Sequence, residues 1–495
     1  MRATENLQLC CFEDDRWGLR VAIVVTVLAL SSGACGTNHA ETGPAWECEF
    51  PSPNELVPGP CDDGNLIRWD GCDDGSPAET QVSPVDAATM HNARIVSLSN
   101  NMFVVVWAQA SGESGKVFYE PRQVVAALVP TPTGLQTLIE VAKLTDLITS
   151  SVHAAARTDG GFVVVWTEKS PGTFGQPRQE DWVHRVKARA FDQCGGPIGD
   201  STTIVENGSL LDFQSAVIEL ANGETLVCWR QLDVLPAGRP EDRLSGPVAK
   251  CRTLSVDLSS ASPPWTLATE YVPDSGVHDF DVVAMDGGGL AVVQRGQGQL
   301  MIRVLTGTGA ELWQMALPEE VAEPLHHSGY SIESIGDNLV VGWISPAVNS
   351  GGQPVAPSSA MALVVANDGT THGNPFHIAD LPFGCSQAYS QLSLAALTED
   401  SFVATWGGLP CEGEVGTFVP HVAIADINGN VLVQGQRLDT SSGCVESLDP
   451  VAATSPSGVI AAVWGGCYSN TSAQEWYATS IFVRFLNSSG ESLSL

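Results

Sequence analysis

The apolar positions of this chain gather into short β-branched runs, and one such run returns seven times. MFVVVW ends at Trp107, FVVVW at Trp166, TLVCW at Trp229, LAVVQ at Gln294, LVVGW at Trp343, FVATW at Trp406 and VIAAVW at Trp464. Their ends lie roughly 50 to 65 residues apart, a period that means repetition of one supersecondary unit. Before each run stand residues that tolerate positive φ, such as Asn100-Asn101, Asp159-Gly160, Asn222-Gly223, Asp286-Gly287 and Ser457-Gly458. Such residues at a fixed offset before a strand mark a tight hairpin. Further hairpins recur later in each unit, at Thr306–Gly309, Asn367–Gly369, Ile427–Asn430 and Asn487–Gly490.

Each unit therefore reads as four strands. In the second these are residues 152–157, 162–166, 186–191 and 197–205, with turns between the first and second and between the third and fourth. The second strand is apolar on both faces, as when sheets pack against both of its sides. Seven such units predict an all-β fold, a seven-bladed β-propeller of four-stranded antiparallel blades. The segment 78–85 is placed to add a strand to the last blade and close the ring. A linear solenoid is the rival, but it needs polar capping repeats that the chain does not show. The recurring tryptophan is read as blade-to-blade packing.

Composition narrows the setting. The chain has 495 residues, a formal net charge of −33, and 49 glycines and 30 prolines. So acidic a surface repels phosphate backbones, which excludes nucleic acid as a partner class. At the N-terminus, Arg16 and Arg20 precede a nearly unbroken apolar stretch from Val21 to Leu30. That stretch is too short to cross about 30 Å of hydrocarbon but suits a signal-peptide core, so residues 1–34 are expected to direct export. Ser32-Gly33-Ala34-Cys35 resembles a bacterial lipobox, which implies lipid on Cys35 and an outer-membrane or cell-surface lipoprotein, with a secreted or periplasmic protein as the alternative. The membrane would then be touched only through that anchor. Beyond Cys35 the mature chain holds an even set of ten cysteines, the signature of disulfides in an oxidising compartment.

Residues 35–47 read as a tether and 48–77 as a small disulfide-rich module. Within it, Cys61-Asp62-Asp63-Gly64-Asn65 and Asp70-Gly71-Cys72 resemble a cysteine-rich repeat of myxobacterial-type exported proteins. The fourth cysteine of that repeat is absent here, and Cys194 is the substitute considered. The propeller occupies 78–495. Its phasing predicts bridges Cys385–Cys411 and Cys444–Cys467 on one face, and a cross-strand bridge Cys228–Cys251.

Chemistry is less legible. The chain lacks G-x-S-x-G, H-E-x-x-H, P-loop and EF-hand patterns. Asp62, Asp63, Asn65 and Asp70 crowd hard oxygens into a short loop, a candidate calcium site. His91, His153, His278, Asp279, His326 and His327 fall near the starts of first strands, where a channel mouth would gather them for ligand or metal binding. The set reads best as a non-enzymatic binding or adhesion scaffold for an unidentified protein or glycan. An extracellular polysaccharide- or peptidoglycan-active hydrolase or lyase is the alternative.

Overall fold

Seven four-stranded antiparallel sheets stand around one axis. The computed structural model describes residues 80–493 except 84–87, 111–120, 131–135, 145–146, 171–183, 207–209, 235–243, 259–261, 269–279, 297–298, 318–329, 346–348, 351–352, 355–358, 381–391, 409–418, 439–447 and 471–474. After β1 (Thr80–Gln81) the first blade holds β2 (Ala88–Ser97), β3 (Met102–Ala110), β4 (Pro121–Pro130) and β5 (Thr137–Lys143). The second holds β6 (Ile148–Ala156), β7 (Phe162–Lys169), β8 (His184–Phe191) and β9 (Pro197–Glu206). The third holds β10 (Leu210–Glu219), β11 (Thr225–Val234), β12 (Leu244–Leu254) and β13 (Trp265–Ala268). The fourth holds β14 (Phe280–Ala284), β15 (Gly289–Gly296), β16 (Gln299–Thr306) and β17 (Glu311–Ala316).

The fifth blade is β18 (Tyr330–Ile335), β19 (Asn338–Ser345), β22 (Ser359–Ala366) and β23 (Phe376–Asp380), with a small hairpin of β20 (Asn349–Ser350) and β21 (Gln353–Pro354) inserted after its second strand. The sixth is β24 (Ser393–Thr398), β25 (Ser401–Gly408), β26 (Val419–Asp426) and β27 (Val431–Arg437). The seventh has only three strands from its own stretch of chain: β28 (Leu448–Thr454), β29 (Ile460–Asn470) and β30 (Glu475–Leu486). Its fourth is β1, with Thr80 opposite Val483 and Gln81 opposite Phe482. The Val82 N–H donates to the Ile481 carbonyl at 2.7 Å, and the Ile481 N–H donates to Ser83 Oγ at 2.9 Å. The two ends of the propeller segment thus share one sheet and the ring is shut.

The first strands form the inner wall. Each touches the next in the order β2, β6, β10, β14, β18, β24, β28 and back to β2. An antiparallel meander puts the turns between strands one and two, and three and four, on one face. The connections between strands two and three, and between blades, lie on the other, called here the loop face.

Seven apolar clusters fill the seven blade-to-blade seams, and the pleat explains their membership. Successive residues of each second strand point to opposite neighbours. Trp107 packs on the seventh blade, Trp166 on the first, Trp229 on the second, Trp343 on the fourth, Trp406 on the fifth and Trp464 on the sixth. All six indoles are at most 3% exposed. The strands run on past them, so tryptophan sits inside the strand rather than at its end. A buried indole of this kind contributes about 3–5 kcal/mol against alanine.

A second device pins the outer rim on the turn face. A large side chain on the outer strand of one blade lies over a positive-φ glycine in the next blade's last hairpin. Trp265 covers Gly309, Trp313 covers Gly369, Phe376 covers Gly429, Ile139 covers Gly195 and Val433 covers Gly490. Between blades two and three the arrangement is reversed. There Leu258 occupies the glycine position at φ 58° and buries its own side chain in the seam.

Candidate functional site: the inner wall

The wall carries two kinds of polar group. The first kind joins neighbouring inner strands. Ser151 and Ser215 hydroxyls lie 2.9 Å apart, and the Ser215 N–H donates to Ser151 Oγ at 3.2 Å. Further round, Asp281 Oδ2 accepts the Ser331 hydroxyl at 2.8 Å and the Ile332 N–H at 3.0 Å, while Val282 N–H reaches Oδ1 at 2.9 Å. Ser331 Oγ in turn accepts the Leu394 N–H at 3.4 Å, so one polar chain links blades four, five and six. Thr454 on β28 donates to the Ala396 carbonyl on β24, and behind the wall Thr405 on the second strand β25 donates to the Pro450 carbonyl at 2.9 Å, so both tie blades six and seven. Each bond satisfies a group that burial would otherwise penalise.

The second kind is titratable and comes from four blades: Arg94 on β2, His153 on β6, Asp281 on β14 and Glu333 on β18. Burial holds the His153 imidazole well below its usual range, and the Arg94 charge pushes the same way. Burial raises the Asp281 carboxyl, against its three hydrogen bonds and the attraction of Arg94. Glu333 is raised to about 8, first by burial and then by the charge of Asp281. Arg94 therefore acts electrostatically on His153 in the adjacent blade and on Asp281 across the ring. At neutral pH the wall presents a guanidinium, a neutral imidazole and, at Glu333, a protonated carboxylic acid, with the raised carboxyl of Asp281 acting on Glu333. A carboxylic acid kept protonated at neutral pH can donate a hydrogen bond or a proton.

Of the residues that the sequence proposed for this region, His153 lies on the wall. His91 lies on β2 with its side chain outside the described residues, as do His278, Asp279, His326 and His327 entirely. Cys35 and the loop with Asp62, Asp63, Asn65 and Asp70 also fall outside them. Among the described residues no group of three His, Cys, Asp or Glu side chains is placed to hold a metal ion. The Cys228–Cys251 bridge is present, between directly paired residues of β11 and β12. Cys194 is also disulfide-bonded. Cys385, Cys411 and Cys444 lie outside the described residues, and Cys467 is on β29 with its side chain outside them.

Sequence reasoning missed Arg94 and Glu333. Each is a lone charge in a first strand, and the repeat does not duplicate it. It also missed a recurring arginine that was legible. Arg189, Arg252, Arg303 and Arg484 occupy equivalent positions of third strands, opposite Val164, Val227, Val292 and Ala462. Arg189 donates to the Val141 carbonyl of the preceding blade at 3.3 Å, Arg252 to the Ile204 carbonyl and Arg303 to the Leu267 carbonyl. The fixed offset of these arginines before the last hairpin was the available signal.

No family model matches the chain, and no curated protein does. Among solved structures, the NanB sialidase of Streptococcus pneumoniae is similar at 9% identity, over 82% of this chain and 70% of that one, with a TM-score of 0.44. An intramolecular trans-sialidase from Ruminococcus gnavus aligns at 9% identity over 86% of this chain and 100% of that one, TM-score 0.41. A protein of unknown function from Dyadobacter fermentans aligns at 11% identity over 70% and 96%, TM-score 0.43. At these values the likenesses carry no argument about chemistry.

Proposed function

We propose that the protein is a non-enzymatic binding or adhesion scaffold, held at the outer membrane or cell surface by lipid on Cys35. One observation carries the reading. The wall groups Ser151, Ser215, Asp281, Ser331 and Thr454, with Thr405 behind them, each bond to a neighbouring blade, which stiffens the frame. On a stiff frame, recognition falls to the connections on the loop face, where the segments 171–183 and 235–243 join second to third strands. The net charge of −33 favours a neutral or cationic ligand, a protein or a glycan. The test is a glycan and protein-partner screen on residues 36–495, with and without calcium. A ligand recovered chemically unchanged supports the reading; one recovered cleaved overturns it.

A second reading, a hydrolase or lyase acting on polysaccharide or peptidoglycan, rests on Glu333 and Asp281. A carboxylic acid raised to about 8, by burial and then by the charge of Asp281, is the kind of proton donor that acid–base chemistry needs. Assays on both polymers with the wild type and Glu333→Gln test it. Turnover that Glu333→Gln abolishes would favour this reading.

A further inference from the structure

The seam between blades three and four departs from the other six. Its second-strand position on blade four holds Gln294 instead of tryptophan. Val292 and Leu290, on the same side of β15, point into this seam, so Gln294 does as well. Its Oε1 is buried and has no hydrogen-bond partner among the described residues. On the opposite wall of the same seam lies the Cys228–Cys251 bridge, both residues fully buried. The corresponding wall pairs of other seams are Val106 with Ala126 and Val165 with Ala188, each facing an indole. The turn-face rim, by contrast, is held as elsewhere: Trp265 lies over Gly309, and Arg303 donates to the Leu267 carbonyl.

We propose that this seam is the ring's release point, pinned at the turn-face rim, underfilled at the loop face, and kept shut there by the Cys228–Cys251 cystine. The cystine cross-links β11 to β12 and makes the wall behind Gln294 a single stiff unit. Reduction needs an external dithiol. Two electrons pass from it, the sulfur–sulfur bond breaks, Cys228 and Cys251 each gain a proton as thiols, and the dithiol leaves as its own disulfide. The wall then consists of two strands held only by their ladder, facing a glutamine whose oxygen has no partner among the described residues. The seam opens at the loop face while the other six, closed by indoles, stay shut.

Amide hydrogen exchange on the full chain tests this, in Cys228→Ala/Cys251→Ala, where all other bridges remain intact. Exchange in Thr225–Arg230 and Phe280–Ala284 should rise by about tenfold or more, with other blades unchanged. Adding Gln294→Trp to that background should return exchange toward the wild-type rate, since the indole would face two alanines much as Trp229 faces Val165 and Ala188. If the double variant does not fold, the same exchange is read on wild type after dithiol treatment, with thiol release at Cys228 and Cys251 followed by mass spectrometry. A rise spread evenly over all seven blades, or no rise once both thiols are free, overturns the proposal.

Discussion

The indole N–H of Trp166 donates to Glu168 Oε1 at 3.0 Å, two residues further along the same strand. Trp107 does the same with Gln109 at 3.2 Å. The geometry follows from the pleat, since residues two apart share a face. Glu168 is only 4% exposed, yet its carboxylate also faces Lys187 at 3.6 Å and Arg185 at 4.0 Å. The indole that fills the first seam is thus fixed by a buried acid that the third strand neutralises.

Glu168→Ala should destabilise the protein by about 2–4 kcal/mol, because it strands a buried indole N–H and removes the partner of a half-buried ammonium. Glu168→Gln should lose less, since its amide oxygen still accepts from the indole. Urea unfolding at constant m-value measures both.

The rim offers an internally controlled comparison. Gly309 and Gly373 both have positive φ, 87° and 82°. A Cβ at Gly309 would meet Trp265 at 2.6 Å, whereas one at Gly373 meets nothing within 4 Å. Gly373→Ala should cost about 1 kcal/mol, the left-handed penalty alone. Gly309→Ala should cost about 2–4 kcal/mol, since the rigid indole must also shift. Equal losses in thermal melts would mean that the knob-on-glycine contact carries no energy.

Leu258 gives the opposite expectation from the usual rule. Glycine at a positive-φ position normally stabilises, but Leu258 is 2% exposed in the seam between blades two and three. Leu258→Gly should therefore destabilise by about 1–3 kcal/mol, the lost burial exceeding the relieved strain. Chemical denaturation gives the sign directly.

The Glu333 carboxyl ties stability to pH. Its folded value is raised to about 8 by burial and by Asp281, while the unfolded value is ordinary. Below the unfolded value both states are protonated and the group is neutral in effect. As pH rises from about 4.5 to about 8, the unfolded chain ionises first and the folded state loses roughly 2–5 kcal/mol in relative stability. Glu333→Gln should match wild type near pH 4.5 and exceed it at pH 8.5. His153 and Arg94 face the same wall, and a lowered imidazole gives the opposite slope, a loss as pH falls below its ordinary value. Melts of Glu333→Gln and His153→Gln across pH 4–9 separate the two limbs.

Much of the architecture was legible because the repeat writes each seam several times. Seven apolar runs and their hairpins gave the blade count, and the segment before the first blade was recognisable as a closing strand. What occurs once is harder to read. Gln294 stood out only as an exception, and its meaning needed the pleat to show that it shares a seam with Cys228 and Cys251. Arg94 could not be matched to Asp281, nor Asp281 to Glu333, because these pairings depend on the ring and not on spacing. Leu258 resembled an ordinary apolar residue until its backbone placed it in a glycine's position.

The proposed role as a scaffold without chemistry is tested most directly by offering polysaccharide, peptidoglycan and protein ligands to three forms of residues 36–495. These are wild type, Glu333→Gln, and a form with residues 171–183 replaced by a short glycine–serine linker. Each bound ligand is then recovered for mass analysis. A scaffold without chemistry returns ligand of unchanged mass, with affinity within about twofold for Glu333→Gln and lost affinity for the linker form. Cleaved ligand from wild type, intact ligand from Glu333→Gln and undiminished binding by the linker form would contradict it.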